Sequence, residues 1–362
     1  MVQQGDNIDR GGAVTLDHVA RLAGVSRATA SRALNRRAGV RVDVAQRIQL
    51  VADSLGYRPN RAARNLAIGR SSVLGLVIPS TELRVDPYGA SMTHAVARAA
   101  TDADQGLMLV LDSGEPGRTV RHILRDGLID GVLVSAVAAG EAWVEELLNA
   151  DISAVLIGSH PTRHDIDVVD VENTESAARL VDHLFDEGCV RVATITGPLD
   201  RVDAGNRLAG YHLAHERRGL PVDERLIIPG DFNRGSGHRA AGQLARLRVD
   251  GVFAANDETA IGLIRALTAD GLRVPDDVAV AGFDGTAADE LDVVVTSMHQ
   301  PFDAIARAAV AELLSRVDGE PPKGLLLVEP ELCIGTSSAR SAAARDAARE
   351  AARQRATPAR AP

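Results

Sequence analysis

Residues 14–35 read VTLDHVARLAGVSRATASRALN, and their spacing decides what the N-terminal end of the chain becomes. Leu16, Val19, Ala20 and Ala23 recur at i, i+3, i+4 and i+7, the apolar face of one short helix. Thr15 stands before it as N-cap, and Gly24 falls where the helix must stop and turn. Val25 fills the turn, and Ser26 caps a second helix running to about Asn35. Ala30, Ala33 and Leu34 face inward on that helix, which leaves Arg27, Ala28, Thr29, Ser31 and Arg32 outside. Two short helices joined by a tight Gly-bearing turn form a helix-turn-helix, whose second helix enters the DNA major groove. A third helix, about 44–54, brings Ile48, Val51, Ala52 and Leu55 to close a three-helix core.

Charge supports the same reading. Residues 1–70 hold twelve arginines against five aspartates, a net +7. Residues 71–336 carry a net −20, and the tail from Ser337 a net +4, within a chain of net −9. A basic head on an acidic body lets the head meet phosphate while the body stays off it. Arg27 and Arg32 can each offer a bidentate fork to guanine, worth about 1–3 kcal/mol of discrimination. Ser26, Thr29, Ser31 and Asn35 are short donors suited to phosphate oxygens.

The next segment, GYRPNRAARNLAIGRSSVLGLVIPS at 56–80, widens the pattern. The order TLxxVAxxAGVSxxTxSRxLN, then GYxPNxxARxL, then a strand opening LGLVIPS, resembles the lactose-repressor (LacI) family of bacterial regulators, from Val14 to about Ser337. The resemblance implies that 59–67 is a hinge helix that folds on the operator, with Leu66 wedged into the minor groove at a central step. It also implies DNA contacts at Thr15, Leu16, Ala28, Tyr57, Asn60, Arg64 and Ala67. One departure is visible: the family opens its third helix with Val-Ser or Val-Thr, where this chain has Val40-Arg41, with Asp43 a weak substitute through the helix dipole.

From Val73 onward the pattern alternates strand and helix. LGLVIP (74–79), LMLVL (107–111), GVLVS (131–135), SAVLIG (153–158) and VVDV (168–171) form one series of short apolar runs. VATITG (192–197), LIIPG (226–230), GVFAAND (251–257) and VAVAGFD (278–284) form a second. Candidate helices at 91–105, 117–126 and 140–149 separate the first set. Continuous apolar strands alternating with helices mean a doubly wound α/β sheet, here in two lobes. The resemblance implies a periplasmic-binding-protein-like effector domain whose chain crosses between lobes near 171 and 300, residues after Pro301 returning to the first. The expected organisation is a disordered N-terminus (1–13), the DNA-binding domain (14–58), a hinge and linker (59–72), the two-lobed domain (73–336) and an Ala/Arg-rich tail (337–362).

In open α/β sheets ligands bind beyond the carboxyl ends of the strands. Those ends carry Asn256, Asp257, Asp284, Asp231 and Phe232, and Arg207 follows the TGP loop. Carboxylate, amide and guanidinium together can grip the vicinal hydroxyls of a sugar. The resemblance places effector contacts at Arg207, Phe232, Asn256, Asp284 and Gln300, and in the first lobe at Ser80 and Tyr88. Asp257, ahead of ETAIGLIRAL, fits a helix cap equally well. Gly158 stands where several sugar-binding relatives carry an aspartate, which removes one hydroxyl acceptor.

Other chemistries find little support. No GxSxG, P-loop or metal-ligand spacing occurs, and Cys189 and Cys333 read as reduced thiols. No cofactor and no metal are expected, and no enzyme. The body alone resembles periplasmic solute-binding proteins, but MVQQGDNIDR lacks the order of a signal peptide, so a cytoplasmic protein is expected. There is no apolar run long enough for a membrane span. Alanine and arginine at 339–356 favour a helix, but the tail has no leucine heptads to drive a four-stranded bundle, so the expected assembly is a homodimer on double-stranded DNA, with the tail frayed or disordered.

Overall fold

The computed structural model describes residues 14–34, 38–57, 70–78, 87–111, 116–135, 142–149, 152–160, 165–287 and 291–356. The N-terminal segment 1–13, the hinge helix, and the sites Asn35, Asn60, Arg64, Leu66, Ala67 and Ser80 lie outside them. The chain divides into two units, Met1–Ser71 and Ser72–Pro362.

The first unit holds helices α1 (Leu16–Leu22), α2 (Arg27–Leu34) and α3 (Val42–Ser54). Val19, Ala20, Ala23, Ala30, Ile48 and Ala52 are buried at their meeting point, with Leu16, Leu34, Val51, Leu55 and Tyr57 packed around them. Gly24 has φ +65°, a left-handed turn that glycine adopts without cost. Arg41 occupies the N-cap of α3 with no side-chain cap. Its guanidinium instead forks onto Asp43 at 3.1 and 2.8 Å, so the departure from Ser or Thr leaves the helix start without a capping oxygen.

The second unit is built on two six-stranded sheets. The first contains β1 (Val73–Ile78), β2 (Gly106–Leu111), β3 (Gly131–Ser135), β4 (Ala154–Ile157), β5 (Asp167–Val171) and β11 (Leu325–Val328) in the order β11-β5-β4-β3-β1-β2. All of its pairings are parallel. The second contains β6 (Val192–Ile195), β7 (Ile227–Ile228), β8 (Gly251–Ala254), β9 (Ala279–Asp284), β10 (Thr296–His299) and β12 (Glu331–Cys333), in the order β12-β10-β9-β8-β6-β7. Its one antiparallel pairing is β10 with β12. Helices α4 (Pro87–Asp102), α5 (Pro116–Arg125) and α6 (Ala142–Asn149) connect the first sheet. Helices α7 (Asn173–Asp186), α8 (Val202–Arg217), α9 (Arg234–Leu247) and α10 (Asp257–Ala269) serve the second.

The chain leaves the first lobe after Val171 and returns after Gln300, where α11 (Phe302–Val317) packs on the first sheet. It then crosses a third time, because β12 joins the second sheet only three residues after β11 ends. That third crossing was not expected.

The tail also differs from expectation. Ser337 and Ser338 are fully buried, and Ser337 Oγ donates to the Val280 carbonyl at 2.6 Å and accepts from Thr296 N–H at 2.8 Å. Helix α12 (Ala342–Ala356) follows, with Ala344 and Ala348 buried. Arg340 donates to the carbonyls of Gly188 and Asp276, and Arg345 pairs with Glu187 at 2.6 Å. The two-lobed domain therefore continues past residue 336. Alanine buries little surface per residue but lets helices approach closely, and arginine anchors the approach, so the segment packs without leucines.

Candidate functional site

On the first unit, α2 presents its outer face to solvent. Arg27, Ala28 and Arg32 are exposed, and Thr29 and Ser31 are partly so. Ser26 Oγ accepts from Thr29 N–H at 3.1 Å and meets Thr29 Oγ1 at 2.8 Å, so this hydroxyl caps the helix it was expected to start. Thr15 holds the corresponding place on α1, its N–H donating to His18 Nδ1 at 3.3 Å. Arg27 lies 3.6 Å from Asp17 with both side chains exposed, a loose pair that phosphate or a base edge can displace. Tyr57 packs against the core close enough to Arg27 and Asp17 to feel both charges, while burial raises its hydroxyl above the usual value.

In the second unit a cavity of about 20 Å³ opens where the carboxyl ends of both sheets face each other. Tyr88, Ile157, Gly158 and Ser159 line it from the first lobe, and Asn173, Arg201, Val202, Asp203 and Arg207 from the second. Asp170, Val171 and Gln300 stand at the crossings between them.

Arg207 is the centre of the arrangement. It is 3% exposed, on the inner face of α8. Its Nε donates to Asn173 Oδ1 at 3.0 Å, Nη1 to the Ala255 carbonyl at 2.6 Å, and Nη2 meets Asp284 Oδ1 at 3.1 Å. The guanidinium lies 3.7 Å from the ring centroid of Phe283 and 5.6 Å from that of Phe232. Cation–π attraction of this kind reaches about 2 kcal/mol when water is excluded. Arg201 flanks the other approach to Phe232 at 5.2 Å and pairs with Asp203 at 2.9 Å. Burial pushes the Asp203 carboxyl up, but Arg201 and Arg207 overcome it and hold the group below the usual range.

Asp284 ends β9 at φ +105°, a backbone region a side-chain-bearing residue rarely adopts. Gln300 fixes it from the hinge: its Nε2 donates to Asp284 Oδ1 at 2.8 Å and its N–H to the Asp284 carbonyl at 3.1 Å. Phe232 also has positive φ, at +60°, and the tip of its ring abuts Gly197, where a Cβ would sit 2.2 Å from it.

Of the residues expected from the sequence, Tyr88, Arg207 and Gln300 line the cavity, and Asp284 joins the last two. Phe232 does not line it, and neither does Asn256. Asn256 is the N-cap of α10: its Oδ1 accepts from Thr259 N–H at 3.0 Å and its Nδ2 donates to the Phe232 carbonyl at 2.8 Å. One end of the amide thus caps α10 and the other braces Phe232.

Asp170, Ser159, Asn173, Arg201 and Asp203 were not anticipated. Asp170 accepts from Ser159 Oγ at 2.6 Å and Asn173 Nδ2 at 3.2 Å, and burial raises its pKa. It places a carboxylate in the cavity beside Gly158, from the neighbouring strand. A lone acid inside the apolar run VVDV was the available signal. Among the described residues no group of His, Cys, Asp and Glu side chains is arranged to hold a metal ion. No described helix is long and apolar enough to cross a membrane.

Residues 15–60 match the model of bacterial regulatory proteins of the lacI family, and residues 181–338 match the periplasmic binding protein-like domain. The chain is 34% identical over 327 residues to the HTH-type transcriptional regulator CelR of Thermobifida fusca, covering 87% of this chain and 95% of that protein. The chain belongs to the LacI family. The ribose operon repressor of Escherichia coli strain K12 is 30% identical, covering 84% of this chain and 93% of the repressor. Among solved structures, the CelR–cellobiose complex superposes with a TM-score of 0.69 at 31% identity, over 90% of this chain and 99% of that one. The lac repressor dimer bound to operator and the anti-inducer ONPF gives 0.71 at 26% identity, with the same coverage. As a LacI-family member the protein is a DNA-binding transcriptional regulator, which sets aside a solute-binding module without a DNA role. Its relatives are regulators, not enzymes.

Proposed function

We propose that this regulator binds a pseudo-palindromic operator as a homodimer and that an uncharged sugar, held in the cleft between the two lobes, sets its grip on DNA. The observation carrying the sugar reading is Arg207, buried between Asp284, Asn173 and the rings of Phe232 and Phe283. Planar donors beside carboxylate acceptors match vicinal hydroxyls, and the two rings hold the guanidinium in place from behind. Three carboxylates, Asp170, Asp203 and Asp284, surround two arginines that are already paired, so an anionic ligand would meet more repulsion than welcome. The relatives agree in class: one was solved with cellobiose, and another represses a ribose operon.

A cavity of about 20 Å³ holds roughly one water. A sugar therefore enters only if the lobes part, and its binding energy can be coupled to their angle. Such coupling amounts to about 1–3 kcal/mol in typical regulators. Calorimetric titration of the full-length protein with cellobiose, ribose and a sugar phosphate tests the reading. Binding of an uncharged sugar together with altered operator affinity supports it, while preference for the phosphate would overturn it.

Two expectations concern the DNA end. Arg27→Ala should cost about 1–3 kcal/mol at one base position of each half-site and relax preference there, as read by binding to a panel of operator variants. Leu66→Ala should weaken specific operator binding and leave sugar affinity intact. Undiminished DNA affinity in the second variant counts against the hinge role of Leu66.

A further inference from the structure

Asp257 opens α10 and is completely buried, yet it neither lines the cavity nor caps the helix, a task that Asn256 performs. Its oxygens serve the turn that follows Asp284. Oδ2 accepts from Thr286 N–H at 2.6 Å and Ala287 N–H at 3.1 Å. Oδ1 accepts from Ser297 Oγ at 2.7 Å, and that oxygen accepts in turn from Gly285 N–H at 3.1 Å. Three successive amides after Asp284 are thus gathered on one carboxylate, directly or through one hydroxyl. The strand presses on the same group: a Cβ at Gly282 would stand 2.3 Å from Asp257 Oδ1.

Unsupported, a turn with Asp284 at φ +105° and Gly285 at φ +73° would relax toward ordinary backbone. Relaxation would swing the Asp284 carboxylate off Arg207 and Gln300. We propose that Asp257 is a positioning residue for the effector, clamping residues 285–287 so that Asp284 meets Arg207 in the cleft. This rests on reading the cleft as the effector site.

The energetics separate that role from a merely structural one. Burial pushes Asp257 up to about 6, against which its hydrogen bonds with Ser297, Thr286 and Ala287 and the charge of Arg207 work only partly. An acid whose folded value lies above its unfolded one favours the fold at low pH, and that favour is lost as pH rises through the folded value. At pH 7 the ionised group therefore burdens the fold, and a near-isosteric neutral residue would serve stability as well or better. Among the described residues, the other charged groups nearby are Arg207 of α8, Asp284 of β9, the Glu258–Arg234 pair joining α10 to α9, and His299 of β10, which packs on Gly285 and faces Glu331 of β12.

The test uses the full-length chain, its Asp257→Asn and Ser297→Ala variants, and cellobiose and ribose as probes. A neutral amide oxygen accepts more weakly than a carboxylate, and Ser297→Ala removes the bridge to Gly285. Expected for Asp257→Asn is an unchanged or higher Tm at pH 7, severalfold faster exchange of the Thr286 and Ala287 amides, and about tenfold weaker sugar binding. Ser297→Ala should speed exchange at Gly285 and weaken binding in the same direction. Wild-type affinity should fall as pH drops through about 6, and the part of that fall due to Asp257 should vanish in Asp257→Asn, whatever Asp170 contributes. Unchanged exchange at 285–287 in both variants overturns the clamp, as does a drop in Tm that accounts for the lost affinity. If the wild type binds neither sugar, the sugar reading fails on its own, and amide exchange still decides whether Asp257 holds the turn.

Discussion

Arg207→Leu eliminates sugar binding and lowers the stability of the two-lobed unit by about 3–5 kcal/mol. The side chain is 3% exposed and meets Asp284, Asn173 and the Ala255 carbonyl. Leucine fills much of the volume between the phenylalanine rings, so the loss arises chiefly from groups left without a donor. The Asp284 carboxylate, deprived of its cation and still bonded by Gln300 Nε2, bears much of the desolvation penalty of a buried charge. Denaturant unfolding gives the stability change, and titration with cellobiose or ribose gives the binding. The double variant Arg207→Leu with Asp284→Leu removes both charges and should regain much of the stability while remaining unable to bind. A double variant no more stable than the single one would mean that this pair is not what holds the site together.

Gly262→Ala is expected to be nearly as damaging, for a different reason. Where α9 and α10 cross, a Cβ on Gly262 would lie 2.0 Å from the Arg234 carbonyl oxygen, and one on Gly237 2.0 Å from the Thr259 carbonyl oxygen. The obstacle in each case is backbone, which cannot rotate aside as a side chain can. Overpacking ordinarily costs about 1–3 kcal/mol, and with two helices forced apart the cost should reach the top of that range or exceed it. Phe232 precedes the Asn233 cap of α9, and Asn256 and Asp257 open α10, so sugar affinity should fall as well. Gly242→Ala is the control: its nearest neighbour is the tip of Arg246 at 3.9 Å, so the change should stabilise α9 by about 1 kcal/mol.

Much of this architecture was written in spacing. The i, i+3, i+4, i+7 run of Leu16, Val19, Ala20 and Ala23 and the glycine behind it specify the first unit, because a short helix has only one way to bury such a face. The strands of the two lobes were legible as apolar runs, and their polar ends pointed to Arg207 and Asp284. What spacing could not convey was company. Nothing local tells Arg207 that Asn173, thirty-four residues earlier, will receive its Nε–H, or that Asn256 will be consumed by Phe232. Asp170 was hidden because VVDV reads as strand interior, and Arg201 and Asp203 because a loop has no period. The three-residue strand β12 escaped notice because it has no hydrophobic pattern of its own, and the alanine and arginine of the tail gave α12 helix propensity without an apolar stripe to say where it packs; partners distant in the chain supply both with their reasons to fold.

The triple passage of the chain between the sheets has a consequence for how the molecule comes into being. Neither lobe is a contiguous stretch: the first lacks α11 and β11 until residue 328, and the second lacks β12 until residue 333. As the polypeptide emerges from the ribosome, the three-helix unit has all its parts within the first 57 residues. The ligand-sensing portion must wait for nearly the whole chain before either half can close. A message cut short between residues 57 and 328 yields the complete three-helix unit with neither lobe intact behind it.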